Sequence, residues 1–334
     1  MPFSFIKNQT IAVTGIGSIG SELCKKIAEN GAKRLVMIDI SENNLYETEQ
    51  SLKCTHPELG VIPYVVSIRD REKLEWILTH ERPSLLVHTA AHKHVPLMER
   101  VPDEAVKNNI FGTLNVTLAS ASAGIGKVIL ISTDKAVEPS CVYGATKRVC
   151  ELIFGMMNKI SANTIYNVVR FGNVIGSRGS VIPLFEAQAA SGHDLTVTHP
   201  DVTRYFMSIE NACDLILEAS ELDDRGKLFL LDMDKPVNIN KLAENIIKKY
   251  EDKNIKIIYT GLRNGEKLHE KLSYDNENLM PIPGKHILRV NLPETDVEKL
   301  KLLLSRLEKA ADEPRKIEEI EPILKEIITE FKRI

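Results

Sequence analysis

TIAVTGIGSIGSELCKKIAEN, residues 10–30, sets a β-branched run against a glycine-punctuated turn and then a helical pattern. The spacing predicts a strand over 11–14 and a helix over 18–30, joined by Gly15-Ile16-Gly17. In that order G-x-G-x-x-G is a phosphate-binding turn. Gly15 permits the tight turn, Gly17 lets backbone amides approach a pyrophosphate, and Gly20 allows the helix to pack closely on the strand. The helix N-terminus then faces the anion, with Ser18 and Ile19 in the same loop. Asp39 ends the second predicted strand, where its carboxylate can accept hydrogen bonds from an adenosine ribose. A 2′-phosphate there would meet negative charge, so the pattern favours NAD over NADP.

Outward from this turn, short β-branched runs alternate with helical patterns. Strands are predicted over 11–14, 34–38, 61–66, 85–89, 128–132 and 165–170, and helices over 18–30, 71–79 and 105–121. Such alternation builds a parallel sheet. Val128-Ile129-Leu130-Ile131 is apolar without alternation, as a strand covered on both faces requires. The fold class is therefore α/β, a Rossmann-like doubly wound parallel sheet, with ligands expected at the carboxyl ends of its strands. After Arg170 the elements shorten, which predicts a smaller α/β substrate-binding unit over 171–290, with some chain crossing back to the Rossmann unit of residues 1–170. It includes helices over 210–222 and 239–250 and strands over 228–231 and 255–259. Residues 291–334 read as two amphipathic helices, from Val297, Leu300, Leu304 and Leu307 and then Ile320, Ile323, Ile327 and Phe331 at helical spacing.

Composition narrows the partners. The 334 residues carry 43 Lys and Arg against 46 Asp and Glu, without the basic block that tracks a phosphate backbone, so nucleic acid is not expected. No apolar stretch approaches the roughly 20 residues that cross a bilayer, and no signal-peptide core opens the chain; a cytoplasmic protein with no membrane partner is expected. The five cysteines are scattered without CxxC spacing, and His92 and His94 lack further ligands nearby, so neither disulfides nor a metal are expected.

The chemistry-bearing run follows the fifth strand. Ser132-Thr133-Asp134-Lys135 precedes Tyr143-Gly144-Ala145-Thr146-Lys147 by a short loop. Four residues apart on a helix, Tyr143 and Lys147 share a face, so the ammonium can lower the phenol's pKa and make it a base for a sugar hydroxyl.

With these residues in view, the chain resembles the extended, sugar-nucleotide branch of the short-chain dehydrogenase/reductases. HTAAHKHVPLMER (88–100), ISTDKAVEPSCVYGATKR (131–148), RFGNVIGSRGSVIPLF (170–185), THPDVTRYFM (198–207) and GLRNGEKLHE (261–270) are similar to the UDP-N-acetylglucosamine 4,6-dehydratases of bacterial glycan biosynthesis. The resemblance implies a catalytic set of Thr133, Asp134, Lys135, Tyr143 and Lys147. Tyr143 and Lys147 would oxidise carbon 4, with Thr133 on the 4-hydroxyl. Lys135 would take the carbon 5 proton as a neutral amine, its pKa depressed by nearby cations and partial burial, while Asp134 protonates the leaving 6-hydroxyl. It further implies resident NAD held by Gly15, Gly17, Ser18, Ile19, Gly20, Asp39, Ala90, Ala91, Asn109, Tyr143 and Lys147. Lys93, Asn173, Arg204, Arg263 and Glu266 would bind the substrate, the two arginines suiting its diphosphate. His88 would lie near the cofactor. A homo-oligomer, dimer or hexamer, is expected.

The chain departs from the family pattern in a glycine loop one residue shorter, in Val66-Ser67-Ile68-Arg69-Asp70 where Gly-Asp is usual, and in Arg263-Asn264-Gly265 for Arg-Pro-Gly. Long membrane-bound relatives carry Met at the position of Tyr143; here the Tyr, and the absence of N-terminal membrane helices, resemble the short soluble members. Competing readings are a UDP-N-acetylhexosamine 4-epimerase, a GDP-linked dehydratase, and a cofactor-binding scaffold without catalysis.

Overall fold

The computed structural model describes residues 3–313 and 317–334. Residues 1–2 and 314–316, inside the ranges assigned above to the first and last units, lie outside the described residues. The first half of the chain forms β1 (Thr10–Thr14), α1 (Ser18–Glu29), β2 (Arg34–Asp39), α2 (Glu42–Thr55), β3 (Gly60–Val65), α3 (Arg71–Glu81), β4 (Leu85–His88) and α4 (Val95–Arg100). These are followed by α5 (Pro102–Ala105), a π-helical turn at Val106–Phe111, α6 (Gly112–Ser122), β5 (Lys127–Thr133), α7 (Val142–Ile160) and β6 (Ile165–Phe171).

These strands join three later ones in a nine-stranded sheet, ordered Met280–Pro281, Ile287–Asn291, Lys227–Leu231, β6, β5, β4, β1, β2, β3. All neighbours are parallel except the pairings of Ile287–Asn291 with its two flanking strands. Because order reverses between β1 and β4, the ends of these strands open a crevice at their carboxyl edge. β5 shows why its run lacks alternation: Val128 and Leu130 enter the core on one face and Ile129 the core on the other, all fully buried.

The strand read at 228–231 joins this sheet beside β6 rather than a separate one, so its apolar side chains fill the two main cores. The C-terminal helices Val297–Asp312 and Ile317–Ile327 dock on the same chain; Leu300, Leu304, Leu307, Ile320 and Ile323 join the core that also holds α7 residues Val149 and Ile153. A third, smaller cluster of Phe185, Leu195, Val197, Ile239, Ala243 and Ile246 lies under the second-half segments. Among the described residues no helix is long and apolar enough to cross a membrane.

Beneath the crevice, two fully buried charges cross-link the chain. Arg170 on β6 donates from Nη2 to Glu151 Oε2 on α7 at 2.8 Å and from Nε to Oε1 at 3.1 Å. Glu151 also accepts from Ser132 Oγ at the end of β5 at 2.7 Å and from Arg148 Nη1 at 2.9 Å. Arg170 Nη1 reaches Glu277 Oε2 at 2.9 Å. Burial works to raise the Glu151 pKa, but Arg170 and Arg148 overcome it and hold the carboxyl down at about 2. A depressed carboxylate stabilises the fold fully above its unfolded pKa, and this contribution is lost as pH falls from there toward about 2. We expect Glu151→Gln to destabilise the protein by about 3–5 kcal/mol, because it strands a buried guanidinium. Urea denaturation at neutral pH checks this, and the deficit should shrink as pH drops below about 4.5.

Candidate active site

The glycine turn is held by backbone approach. Gly15 has φ +85°, and a Cβ there would lie 2.4 Å from the Ala90 nitrogen; a Cβ on Gly20 would lie 1.9 Å from the Gly15 carbonyl oxygen. Among the described residues the space over Gly17 is open for 4 Å and no side chain caps the N-terminus of α1. Asp39 Oδ2 accepts from the Ile16 N–H and Oδ1 from the Ser41 N–H at 2.6 Å, so this carboxylate anchors the turn. An open glycine face, free helix amides and a carboxylate after β2 fit a dinucleotide's pyrophosphate and ribose.

Beside the turn lies a cavity of about 400 Å³. Its lining brings together Ile19, Ala91, Lys93, Thr133, Lys135, Tyr143, Lys147, Asn173, Arg204, Arg263 and Glu266, which the sequence nominated from segments up to 247 residues apart. Gly15, Gly17, Ser18, Gly20, Asp39 and Ala90 are outside this lining, along the glycine turn and the ends of β2 and β4. Asn109 is placed differently from the expectation. It is buried in the π-helical turn, and its amide is spent on the His92 N–H at 2.8 Å, the His92 carbonyl at 2.9 Å and Thr146 Oγ1 at 3.1 Å. It therefore holds the 91–94 loop against α7 and offers no free group to the cavity. His88 is likewise sealed, between Thr14 Oγ1 at 2.7 Å and Thr113 Oγ1 at 3.0 Å, and burial with the nearby Lys147 pushes its pKa down to about 3.

β5 delivers the reactive group. Its last residue, Thr133, donates from Oγ1 to Asp134 Oδ1 at 2.9 Å, and Lys135 Nζ donates to the same oxygen at 3.0 Å and to Asn173 Oδ1 at 3.3 Å. Asp134 is fully buried, and its Oδ2 has no hydrogen-bond partner among the described residues. Two electrostatic expectations are corrected here. Burial works to lower the Lys135 pKa, but the Asp134 and Glu270 carboxylates outweigh it and hold the side chain as an ammonium, against the opposing charge of Arg204. Tyr143 is raised, not lowered, because burial disfavours the phenolate; the groups pulling the other way are Lys135 and the hydrogen-bonded Thr133 hydroxyl. Lys147 is buried on α7, its own pKa lowered by that burial, with no hydrogen bond or ion pair among the described residues. An unpaired buried ammonium beside a cavity suits the hydroxyls of a bound ribose.

On the far wall Arg204 Nη2 pairs with Glu266 Oε1 at 3.0 Å, and Glu266 Oε2 accepts from the Arg263 N–H at 3.2 Å. The residues nominated for the diphosphate and the ribose therefore form one cation–carboxylate group. Two features of the site were not foreseen. Glu270 lines the cavity within GLRNGEKLHE, a run already quoted, but nothing in the spacing distinguishes it from Glu266. The glycine-rich segment after β6 does more than separate units: Ser177, Gly179 and Ser180 line the cavity, and the Arg178 N–H donates to Ser18 Oγ at 3.1 Å across the crevice.

Residues 11–292 match the polysaccharide biosynthesis protein family. The chain belongs to this family. Capsular polysaccharide biosynthesis protein CapD of Staphylococcus aureus is 45% identical over 278 residues, 81% of this chain and 46% of that protein, so the chain spans about half that relative's length. UDP-N-acetylglucosamine 4,6-dehydratase (inverting) of Campylobacter jejuni subsp. jejuni serotype O:2 is 34% identical over 82% of this chain and 80% of its own. UDP-glucose 4-epimerase of Rickettsia rickettsii is 31% identical over 91% of this chain and 89% of its own. In the fold, Pen from Bacillus thuringiensis superposes with a TM-score of 0.81 at 30% identity, covering 90% of this chain and 99% of that one. The resemblance seen in the motifs and the family match agree.

The glycine turn yields a direct check. Because a methyl on Gly20 would overlap the Gly15 carbonyl, Gly20→Ala should displace the turn and weaken NAD binding by about tenfold or more, measured by calorimetric titration.

Proposed function

We propose that this protein is an NAD-dependent nucleotide-sugar hydro-lyase that converts UDP-N-acetylglucosamine to a UDP-2-acetamido-2,6-dideoxy-4-hexulose in glycan-sugar biosynthesis. The reading rests above all on one observation: Lys135 lines the same cavity as Tyr143 and Lys147, with its Nζ 3.0 Å from the adjoining, fully buried Asp134 carboxylate. Relatives named as 4,6-dehydratases and as 4-epimerases both support a nucleotide-sugar enzyme of the short-chain dehydrogenase/reductase type.

NAD, held by the glycine turn, Asp39 and Lys147, supplies the hydride acceptor for carbon 4 and the hydride that returns to carbon 6. The chain's own groups handle protons. Tyr143, a neutral phenol at rest, takes the 4-hydroxyl proton while passing its own to Thr133, whose hydroxyl proton moves to Asp134 along the 2.9 Å contact. Asp134 thereby becomes the acid that elimination needs. The carbon 4 ketone acidifies the carbon 5 proton, which the amine form of Lys135 removes as Asp134 protonates the leaving 6-hydroxyl. Lys135 afterwards returns a proton to carbon 5. Arg204 and Arg263 hold the diphosphate and Glu266 the uridine ribose.

The epimerase alternative draws on the Rickettsia relative, but epimerisation at carbon 4 uses only Tyr143, Lys147 and Thr133. It leaves the buried acid–amine pair without a task. Proton NMR of UDP-N-acetylglucosamine incubated with the protein in heavy water discriminates. A new methyl signal with deuterium at carbon 5 is the expected result, whereas UDP-N-acetylgalactosamine would favour epimerisation and overturn the reading. Lys135→Ala should still reduce bound nicotinamide on adding substrate, seen near 340 nm, yet lose product release by about a hundredfold or more.

A further inference from the structure

The amine that elimination requires is not the form in which Lys135 rests. Its Nζ stands between two carboxylates, 3.0 Å from Asp134 Oδ1 and 3.7 Å from Glu270 Oε1. Asp134 cannot take the ammonium proton, because in the dehydratase reading it is already charged with the proton that began on the substrate's 4-hydroxyl. Glu270 is the remaining acceptor. Its side chain is 4% exposed and lines the cavity, and its Oε2 is buried with no hydrogen-bond partner among the described residues. A bridge between Thr203 and His269 fixes the backbone just before it.

We propose that Glu270 is the proton acceptor that unmasks Lys135, taking its ammonium proton before carbon 5 is attacked and returning it after carbon 5 is reprotonated. The role rests on the dehydratase reading above. The step balances without solvent: one N–H bond of Lys135 breaks as one O–H bond of Glu270 forms, leaving an amine and a neutral acid, and the reverse transfer closes the cycle. At the end Tyr143 is a phenol, Asp134 and Glu270 are carboxylates and Lys135 is an ammonium, as at the start.

Other charged and titratable groups also face this cluster. Arg204 opposes the ammonium from the far wall, Tyr143 and Cys141 lie on the α7 side, and Lys267 Nζ is 3.6 Å from Glu270 Oε2. Asp134 and Glu270 together hold the resting Lys135 in the ammonium form. An internal acceptor makes loss of that proton independent of bulk pH.

The test is the pH profile of product formation by the full-length NAD-loaded enzyme, followed by the methyl signal of the keto sugar. With Glu270 present, kcat should be nearly flat between about pH 6 and 9. In Glu270→Gln, Lys135 can lose its proton only to solvent. Turnover should fall at neutral pH and climb about tenfold per pH unit toward alkaline pH. Glu270→Asp, which keeps an acceptor, should be slower yet flat. A Gln variant that is slow but flat would assign Glu270 a merely structural part and overturn the proposal, as would an Asp variant that acquires the alkaline climb. If the Gln variant does not fold, the Asp profile decides. A wild-type enzyme that reduces its nicotinamide but forms no methyl product would instead overturn the dehydratase reading.

Discussion

The buried pair of Arg170 and Glu151 is the joint on which the site is assembled. Through it the end of β5, the body of α7, the end of β6 and the segment around Glu277 are tied to one pair of charges inaccessible to water. Either charge alone would be strongly disfavoured there, since desolvation penalises each, so the partners stabilise one another as a set. The consequence is geometric. Ser132 adjoins Thr133, and Arg148 follows Lys147, so the pair that joins β5 to α7 also sets the spacing between the Thr133-Asp134-Lys135 turn and the Tyr143–Lys147 face.

Above that joint the same physics runs in the opposite sense. Burial works to keep Tyr143, Lys147 and Lys135 uncharged, and for the first two it sets the direction of the pKa shift. For Lys135 it does not, because two carboxylates stand within 4 Å of one nitrogen. A low-dielectric pocket that holds one ammonium between two carboxylates, with Arg204 and Lys267 beside them, is suited to moving protons among groups rather than to binding a cation.

Much of this was legible in the primary structure, for reasons that are local. The turn at Gly15-Ile16-Gly17 needs residues without a Cβ, so it leaves glycines at set intervals. β5 must be apolar on both faces, so Val128-Ile129-Leu130 lacks alternation. Tyr143 and Lys147 share a helix face because of helical pitch alone. Glu270 was illegible for the converse reason. Its importance comes from lying 3.7 Å from a lysine 135 positions earlier, and no periodicity encodes such a distance. The loop contacts of Asn109 were illegible in the same way, since its bonds to the His92 backbone arise only when the π-helical turn packs against that loop.

By itself, then, the order of residues determined the α/β class, the phosphate turn and the family, and nominated the candidate cluster, because each is written in short-range spacing and residue type. Only the tertiary structure decided that the strand Lys227–Leu231 enters the main sheet and that the C-terminal helices cover the core of their own chain. It alone also decided the protonation of Lys135 and Tyr143. These depend on desolvation and on charges brought together from distant segments, and both quantities come into being only when the chain closes around them.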